Sequence, residues 1–239
     1  MKIAVSSASF AVALREGALT HLEWLEGCAS RLAADGVVFA LGDLPRTDAE
    51  YAAQVRKVST DLGLVPVALD VPGLLDPAAS DDSRTTALAL AVELGAGLIR
   101  GTTGRAGELP PKSFVQTVEV AKALAKAAKA ANVTVVVAAV PGSVSADLAE
   151  LRHLLKDVDS AWLRYEAGVA EDRTMLGPRD RVLIERVPLN VDPAGIDLGR
   201  RAWYVLGGDG GADPFARVAA AVRGLRETEA RRLLAGALS

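Results

Sequence analysis

Short runs of β-branched and other apolar residues alternate with longer runs of helical periodicity from one end of the 239-residue chain to the other. Eight of the short runs have the length and composition of buried strands. They are Ile3–Val5, Val37–Ala40, Pro66–Leu69, Gly97–Arg100, Val133–Val137, Ala161–Glu166, Arg181–Val187 and Ala202–Leu206. Consecutive strands joined by helices run parallel, because a parallel pair needs a long crossover connection. The pattern therefore predicts an α/β protein built on a parallel sheet.

Helix-start residues mark the segments between these strands. Thr20 with Glu23, and Thr47 with Glu50, have the spacing of capping boxes, in which a hydroxyl and a carboxylate satisfy free backbone N–H groups. Ser145 is expected to cap a further helix. The predicted helices are Thr20–Ala34, a helix from the second capping box to Leu62, Ser80–Leu94, Ser113–Ala131, Ser145–Asp157 and a closing helix from Pro214.

Eight such units close naturally into a (β/α)8 TIM barrel, which we expect to form one domain over residues 1–239. The sixth and seventh connections are short and contain Pro178, Pro188 and Pro193, so we expect their helices to be reduced or absent. An open doubly wound sheet is the alternative architecture. The barrel is favoured because no glycine-rich phosphate-binding fingerprint follows the first strand.

The charge balance and the cysteine content limit the partners and the compartment. The chain has 27 Lys and Arg against 30 Asp and Glu, a net charge of −3, which argues against nucleic acid or an acidic membrane as a partner. No uncharged apolar run has the length of a membrane span, and Ser6, Ser7 and Ser9 interrupt the N-terminal run, unlike a signal peptide. The single cysteine, Cys28, fits a reducing compartment. We expect a cytoplasmic protein with a small-molecule ligand, and homo-oligomerisation stays open.

Several charged residues lie within or at the end of strands that should be buried on both faces. An unpaired charge in the helix layer carries a heavy desolvation penalty, so these side chains are expected to face the barrel interior near the C-terminal mouth. In the seventh strand, one of two neighbouring charged residues must point inward. The residues assigned to the mouth in this way are Asp70, Arg100, Arg164, Glu166 and either Glu185 or Arg186.

This set of charges has two interpretations. In the first, the substrate-binding residues hold a hydroxylated or anionic small molecule, with the arginines suited to a phosphate or carboxylate; they are Asp70, Arg100, Arg164 and Arg186. Glu166 and Glu185 are then the catalytic pair that moves protons between adjacent carbons, as isomerisation and epimerisation require. In the second, the charges only neutralise one another inside a barrel that has lost catalysis.

The segment GGDGGADP, residues 207–214, follows the eighth strand. Its glycines and the helix that begins after it suit an anion, and Asp209 is the nearest carboxylate to the strand end and a candidate substrate-binding residue. Asp213 and Pro214 also form a good N-cap and first-turn pair, so a simple turn is the favoured interpretation of this segment.

Three scaffold segments resemble the xylose isomerase-like TIM barrels, a superfamily of sugar isomerases and epimerases, sugar-phosphate enzymes and apurinic endonucleases. They are LTHLEWLEGCASRLAADGVVFA, ALAVELGAGLIRGTTG and FVQTVEVAKALAKAAKAANVTVVVAAVPGS. The resemblance implies a TIM barrel that acts on a small carbohydrate or a sugar phosphate. The apurinic-endonuclease branch is disfavoured, because the chain lacks a basic surface for DNA.

The chemistry of that superfamily rests on a divalent metal, held by a Glu ending strand five, an Asp ending strand six, a His on strand seven and a Glu ending strand eight. The matching positions here are Ala138, Glu166, Glu185 with Arg186, and Gly207 with Gly208 before Asp209. An alanine side chain has no lone pair to offer, and an arginine repels a dication. Both histidines, His21 and His153, lie on predicted helices. We therefore expect neither a metal nor another cofactor.

Together these observations predict a sugar isomerase- or epimerase-like protein that acts on or binds a small carbohydrate or sugar-phosphate-type ligand at the C-terminal mouth, without the usual metal. The alternative is a catalytically inactive barrel that serves as a small-molecule binding or scaffold protein.

Overall fold

Eight parallel strands close into a barrel in the computed structural model, which describes residues 1–104, 113–138, 140, 142–168, 182–196 and 202–237. In chain order they are β1 (Lys2–Ser6), β2 (Gly36–Ala40), β3 (Val65–Val71), β4 (Leu98–Gly101), β5 (Thr134–Val137), β6 (Leu163–Gly168), β7 (Val182–Pro188) and β8 (Trp203–Gly207). Each strand pairs with its neighbour in the chain, and β8 pairs with β1. The predicted TIM-barrel fold is confirmed.

Seven α-helices lie among the described residues. They are α1 (Ala11–Arg15), α2 (His21–Ser30), α3 (Ala49–Asp61), α4 (Asp81–Glu93), α5 (Ser113–Ala130), α6 (Leu148–Val158) and α7 (Pro214–Ala237). The short α1, between β1 and α2, is not separated in the sequence-based assignment. The connection from β6 to β7, with Pro178 and the predicted reduced sixth helix, lies outside the described residues. The described part of the next connection contains a single 3-10 turn, Pro193–Gly195.

The residues that start the helices were predicted with mixed success. At α2 the capping box is present, because Thr20 Oγ1 accepts from the Glu23 N–H at 3.2 Å and Glu23 Oε2 accepts from the Thr20 N–H at 2.8 Å. The predicted box of Thr47 with Glu50 is wrong. Asp48 is the N-cap of α3, and its Oδ1 accepts from the Tyr51 N–H at 3.0 Å, one residue further along the chain.

The prediction that Ser145 caps a helix is also wrong. Asp147 caps α6 and accepts from the Ala149 N–H at 2.7 Å. Ser145 lies before it in a 3-10 turn, Val144–Ala146, and its hydroxyl donates to the Ala138 carbonyl oxygen at 2.8 Å. This buried serine therefore fastens the turn to the end of β5 instead of starting the helix.

Two apolar layers lie on the two faces of the barrel wall. The outer layer, between strands and helices, contains most of the large side chains, including Trp24, Tyr165 and Tyr204. The inner layer, within the barrel, is a small cluster of Ala4, Val38, Val67, Ala68, Val136, Ile184 and Val205, with Leu98 and Trp203 packed against it. Most strand residues alternate between these layers, as the pleat of a strand requires. Val67 and Ala68 both lie in the inner layer, where the pairing of β2 with β3 shifts register. None of the helices in the described ranges combines the length and the apolar composition needed to cross a membrane.

Candidate functional site

Strand alternation brings four charged side chains to the C-terminal end of the barrel interior. The inner apolar cluster contains Ala68 and Ile184, and Leu98 packs against it. Two positions later, the same three strands carry charged residues that face the same way, because side chains alternate along a strand. On β6, Tyr165 and Ala167 lie in the outer layer, so Glu166 between them also faces inward. We call this set the mouth cluster; it consists of Asp70, Arg100, Glu166 and Arg186.

Arg100 is the centre of the mouth cluster. Its Nη1 donates to Asp70 Oδ1 at 2.5 Å, and its Nη2 donates to Glu166 Oε1 at 3.0 Å. Its Nε also donates to Glu166 Oε2, so that the guanidinium and the Glu166 carboxylate form a bidentate pair. Arg186 Nε lies 3.2 Å from Glu166 Oε1. Guanidinium groups therefore contact both oxygens of Glu166.

The members of the mouth cluster differ in their exposure to solvent. The Glu166 side chain is only 2% exposed and that of Arg100 13%, whereas Asp70 is 19% and Arg186 35% exposed. Asp70 and Arg186 are thus the members that a molecule entering from solvent meets first. Asp70 Oδ2 has no hydrogen-bond partner among the described residues, so it is the oxygen available to such a molecule.

The surroundings of the Asp70–Arg100 pair shift the pKa of each partner. Burial raises the pKa of the Asp70 carboxyl; Arg100 opposes this shift, while the carboxylates of Glu166 and Asp43 reinforce it. Burial would lower the pKa of the Arg100 guanidinium, but Glu166 and Asp70 outweigh it and hold that pKa above its ordinary value. Arg100 therefore stays charged, whereas the carboxyl of Asp70 binds its proton more tightly than an exposed aspartic acid does.

We expect the Asp70 carboxyl to titrate above its ordinary value of 3.8, and Glu166→Gln to lower its pKa by removing a neighbouring negative charge. Because the raised pKa means that the folded state binds this proton more tightly than the unfolded chain, the contribution of Asp70 to stability falls as the pH rises from 3.8 through the folded pKa. A carboxyl-detected NMR titration measures the pKa of Asp70 in the unsubstituted protein and in Glu166→Gln. The exposed Glu119→Gln on α5 serves as the control and should leave the pKa of Asp70 unchanged. A pKa at or below the ordinary value, or an increase in Glu166→Gln, would contradict this electrostatic description.

The structure does not bring Glu185 to the mouth. In the β7 pairing, Glu185 is beside Ala167 and Tyr204, which both lie in the outer layer, and its side chain is 1% exposed. Arg186 is the one of the two charged neighbours that faces the interior. Glu166 and Glu185 thus lie on opposite faces of the barrel wall, and their assignment as a catalytic pair finds no support in this geometry.

Two other candidate residues lie away from the mouth cluster. Arg164 belongs to the inner face by its pairing with Val136, but its Nη1 reaches the carbonyl oxygens of Ser160 at 3.4 Å and Leu163 at 3.3 Å, at the N-terminal end of β6. Asp209 is exposed, and its Oδ1 accepts from the Gly211 N–H at 2.8 Å, as in an Asx turn. Asp209 therefore shapes the loop after β8.

That loop is a closely packed turn. A Cβ atom at Gly210 would lie 2.0 Å from the carbonyl oxygen of Ser9, so only glycine allows the two backbones to approach this closely. At its end, Asp213 Oδ1 accepts from the Ala216 N–H at 3.0 Å, which confirms the predicted N-cap of α7. Both contacts favour the interpretation of this segment as a turn.

Sequence reasoning missed a second polar group beside the mouth cluster, formed by Ser7 and Asp43. Ser7 Oγ accepts from the Ala40 N–H at 2.9 Å and donates to Asp43 Oδ2 at 3.2 Å. Asp43 belongs to a 3-10 turn, Leu41–Asp43, directly after β2. Its position just beyond a strand end was the only signal that could have identified it.

The mouth residues within the described ranges do not fit a divalent-metal site. Ala138, at the position that follows β5, is fully buried and has no ligand atom in its side chain. Glu166 uses both oxygens on guanidinium groups, which repel a dication. In the part of the chain that the structure describes, no group of three or more His, Cys, Asp and Glu side chains is arranged to hold a metal ion. His21 is buried at the start of α2, where burial lowers its pKa and Asp43 partly opposes the shift, and His153 is exposed on α6.

No protein-family model and no curated protein matches the chain at the level of sequence. Comparison with solved structures, by contrast, finds many similar barrels. L-ribulose 3-epimerase matches with a TM-score of 0.73 and 16% identity over 98% of both chains.

A probable 3-DHS dehydratase from Bacillus anthracis matches with a TM-score of 0.72 and 12% identity, over 95% of this chain and 99% of that one. A xylose isomerase domain containing protein from Salmonella typhimurium LT2 matches with a TM-score of 0.72 and 13% identity, over 95% of this chain and 97% of that one. Identities this low establish the fold alone. The resemblance inferred from the scaffold segments is thus confirmed at the level of the fold: this chain has the TIM-barrel fold that these three proteins share.

Proposed function

We propose that the chain is a sugar isomerase- or epimerase-like protein that binds a small carbohydrate or sugar-phosphate-type ligand at the mouth cluster, without a divalent metal. The observation that carries this proposal is the position of Arg100. A permanently charged guanidinium lies at the C-terminal end of the barrel interior, where TIM-barrel enzymes have their active sites. It provides a fixed positive charge beside any hydroxyl or carbonyl oxygen that enters.

The roles of the individual residues follow from their exposure and partners. Arg186, the most exposed member, is suited to hold a phosphate, a carboxylate or a pair of hydroxyl oxygens. Asp70 has one oxygen held by Arg100 and the other directed to no described partner, and its raised pKa suits a group that accepts and returns a proton. Glu166 holds both guanidiniums in place. In this proposal, proton transfer between adjacent carbons of the ligand passes through Asp70, and Glu185 takes no part.

A second candidate function is a binding protein without catalysis. The observation in its favour is that both oxygens of Glu166 contact guanidinium groups, so the most buried carboxylate of the mouth is already neutralised. Within the four residues of the mouth cluster, Asp70 is then the carboxylate that remains to move a proton. The two candidates share the same binding site and differ in whether that site exchanges a ligand proton.

A thermal-shift panel of free sugars, sugar phosphates and sugar acids, measured with EDTA present, tests the binding site. We expect at least one class of compound to raise the melting temperature, and Arg186→Met to remove that increase. The matched control is Arg152→Met, which removes an exposed arginine of α6 and should leave the increase intact. Stabilisation by no compound, or an increase that survives Arg186→Met, would overturn the assignment of the site.

An NMR measurement of solvent deuterium incorporation into a compound found by this panel then separates the two candidates. Incorporation at a carbon next to the carbonyl, lost in Asp70→Asn, is expected for the isomerase-like protein. Binding without incorporation is the result expected for the non-catalytic protein.

A further inference from the structure

The opposite, N-terminal end of the barrel contains a second concave site. A cavity of about 550 Å³ opens there, within the size range of small-molecule sites. Its wall is formed where strands begin, and we call it the N-terminal bowl; its principal lining residues are Lys2, Val65, Val67, Leu98, Leu183 and Trp203. The inner apolar cluster, with small side chains such as Ala4 and Ala68, lies between this bowl and the mouth cluster.

The wall of the N-terminal bowl is apolar but not fully covered. Val65 is 46% exposed, and Leu98, Leu183 and Trp203 are only half-buried, although each lies on a barrel strand. Gly36, at the start of β2, lets two wall residues pack directly against its backbone, because a Cβ there would lie 2.7 Å from Val67 and 3.1 Å from the Trp203 ring. Apolar surface left in a concavity of this size favours a ligand that can cover it.

Two positive charges belong to the lining of the bowl: the N-terminal ammonium of Met1, which pairs with Glu229, and the side chain of Lys2. Lys2 Nζ lies 5.2 Å from the centroid of the Trp203 ring, within the range of a cation–π contact. The register of β1 and β8 places these two residues side by side. Lys2 is exposed, has no carboxylate within ion-pair distance among the described residues, and carries the only charged side chain in the described lining. An indole and an ammonium group therefore lie next to each other on an apolar wall.

We propose that the N-terminal bowl binds a small aromatic carboxylate. The aromatic ring packs against Trp203, Leu98 and Leu183, where offset or edge-to-face contacts with the indole add to the burial of apolar surface. The carboxylate pairs with Lys2, which supplies the complementary charge at the rim. This site is independent of the carbohydrate-type site proposed at the mouth cluster.

Isothermal titration of the protein with 2-naphthoate, and with neutral 2-naphthalenemethanol as the matched probe, tests this proposal. We expect 2-naphthoate to bind, and Lys2→Met to weaken its affinity about tenfold, because the charge-assisted contact is lost. The same variant should leave 2-naphthalenemethanol binding unchanged. Lys126→Met removes an exposed lysine of α5 and should change neither affinity. Trp203→Phe should weaken both probes, since part of the aromatic wall is lost.

Three outcomes would overturn the proposal. The first is no binding of 2-naphthoate, and the second is equal binding of both probes with no effect of Lys2→Met. The third is binding that Arg186→Met removes, because the probe then occupies the mouth cluster. Light scattering under the same conditions measures the molar mass and so detects a dimer. A dimer that Val65→Glu dissociates would show that the bowl is an interface between copies, and would also contradict the proposal.

Discussion

Arg100→Met is expected to lower the free energy of unfolding by about 3–5 kcal/mol at neutral pH, the range measured when one partner of a buried ion pair is removed. The substitution leaves Asp70 and Glu166 close together with no guanidinium between them, and their side chains are only 19% and 2% exposed. Arg186 still contacts Glu166, but no described cation remains beside Asp70. The penalty therefore comes from two neighbouring carboxylates of low exposure, of which only Glu166 still contacts a guanidinium among the described residues.

The loss in Arg100→Met should shrink as the pH falls. Burial already raises the pKa of Asp70, and Arg100 opposes that shift, so without the guanidinium Asp70 binds its proton still more tightly in the folded state and acid selectively stabilises the folded variant. Urea denaturation at neutral and at acidic pH measures this change. The double variant Arg100→Met/Glu166→Gln should recover part of the lost stability at neutral pH, since it removes one of the uncompensated charges.

The control for this prediction is Arg152→Met, which removes an exposed arginine and should change stability by about 0.5 kcal/mol or less. A similarly small loss in Arg100→Met would contradict the description of Arg100 as the buried centre of the mouth cluster. A loss that stays constant with pH would contradict the role assigned to the two carboxylates.

Gly210→Ala is expected to lower the free energy of unfolding by about 1–3 kcal/mol, the usual cost of overpacking a close contact. The added Cβ would lie 2.0 Å from the Ser9 carbonyl oxygen and 2.6 Å from the Pro214 Cβ. Neither atom is the end of a flexible side chain, so the backbone after β8 or the turn after β1 must move. Thermal and urea denaturation measure the loss.

Gly42→Ala is the matched control, because no atom lies within 4 Å of the added Cβ and Gly42 has no positive φ. We expect a change of about 0.5 kcal/mol or less. If the two variants proved equally stable, the loop after β8 would be loosely packed, contrary to the structure described here.

Strand alternation was enough to predict three of the four members of the mouth cluster. Each of these three residues directly follows an outer-layer residue of its strand, so the inner face could be assigned from the local spacing. The pairs are Leu69 and Asp70, Ile99 and Arg100, and Tyr165 and Glu166. The spacing could not decide whether Glu185 or Arg186 is the fourth member of the mouth cluster, because these two neighbours on β7 are both charged. The pairing of β6 with β7 shifts register between Tyr165 and Glu166, which no local pattern indicates, and Arg186 is the residue that faces inward.

The structure also differs from the sequence-based predictions where a residue's place in the chain does not determine which partner its side chain reaches. Arg164 faces inward as expected, but a long side chain can turn toward either end of the barrel, and this one reaches the N-terminal end. Ser145 and Asp147 are both good N-cap residues, and only the anchoring of Ser145 to Ala138 decides between them. The Ser7–Asp43 contact joins two separate connections, so the sequence alone could not predict it.

The most direct test of the metal-free mouth is a titration of metal-stripped protein with Mn²⁺, followed by electron paramagnetic resonance. Because Arg100 and Arg186 already hold the carboxylate that a metal would need, we expect Mn²⁺ to stay free at millimolar concentration, and a ligand from the thermal-shift panel to bind equally well with EDTA present. Binding of one Mn²⁺ per chain at micromolar concentration, lost in Glu166→Gln, would contradict the account.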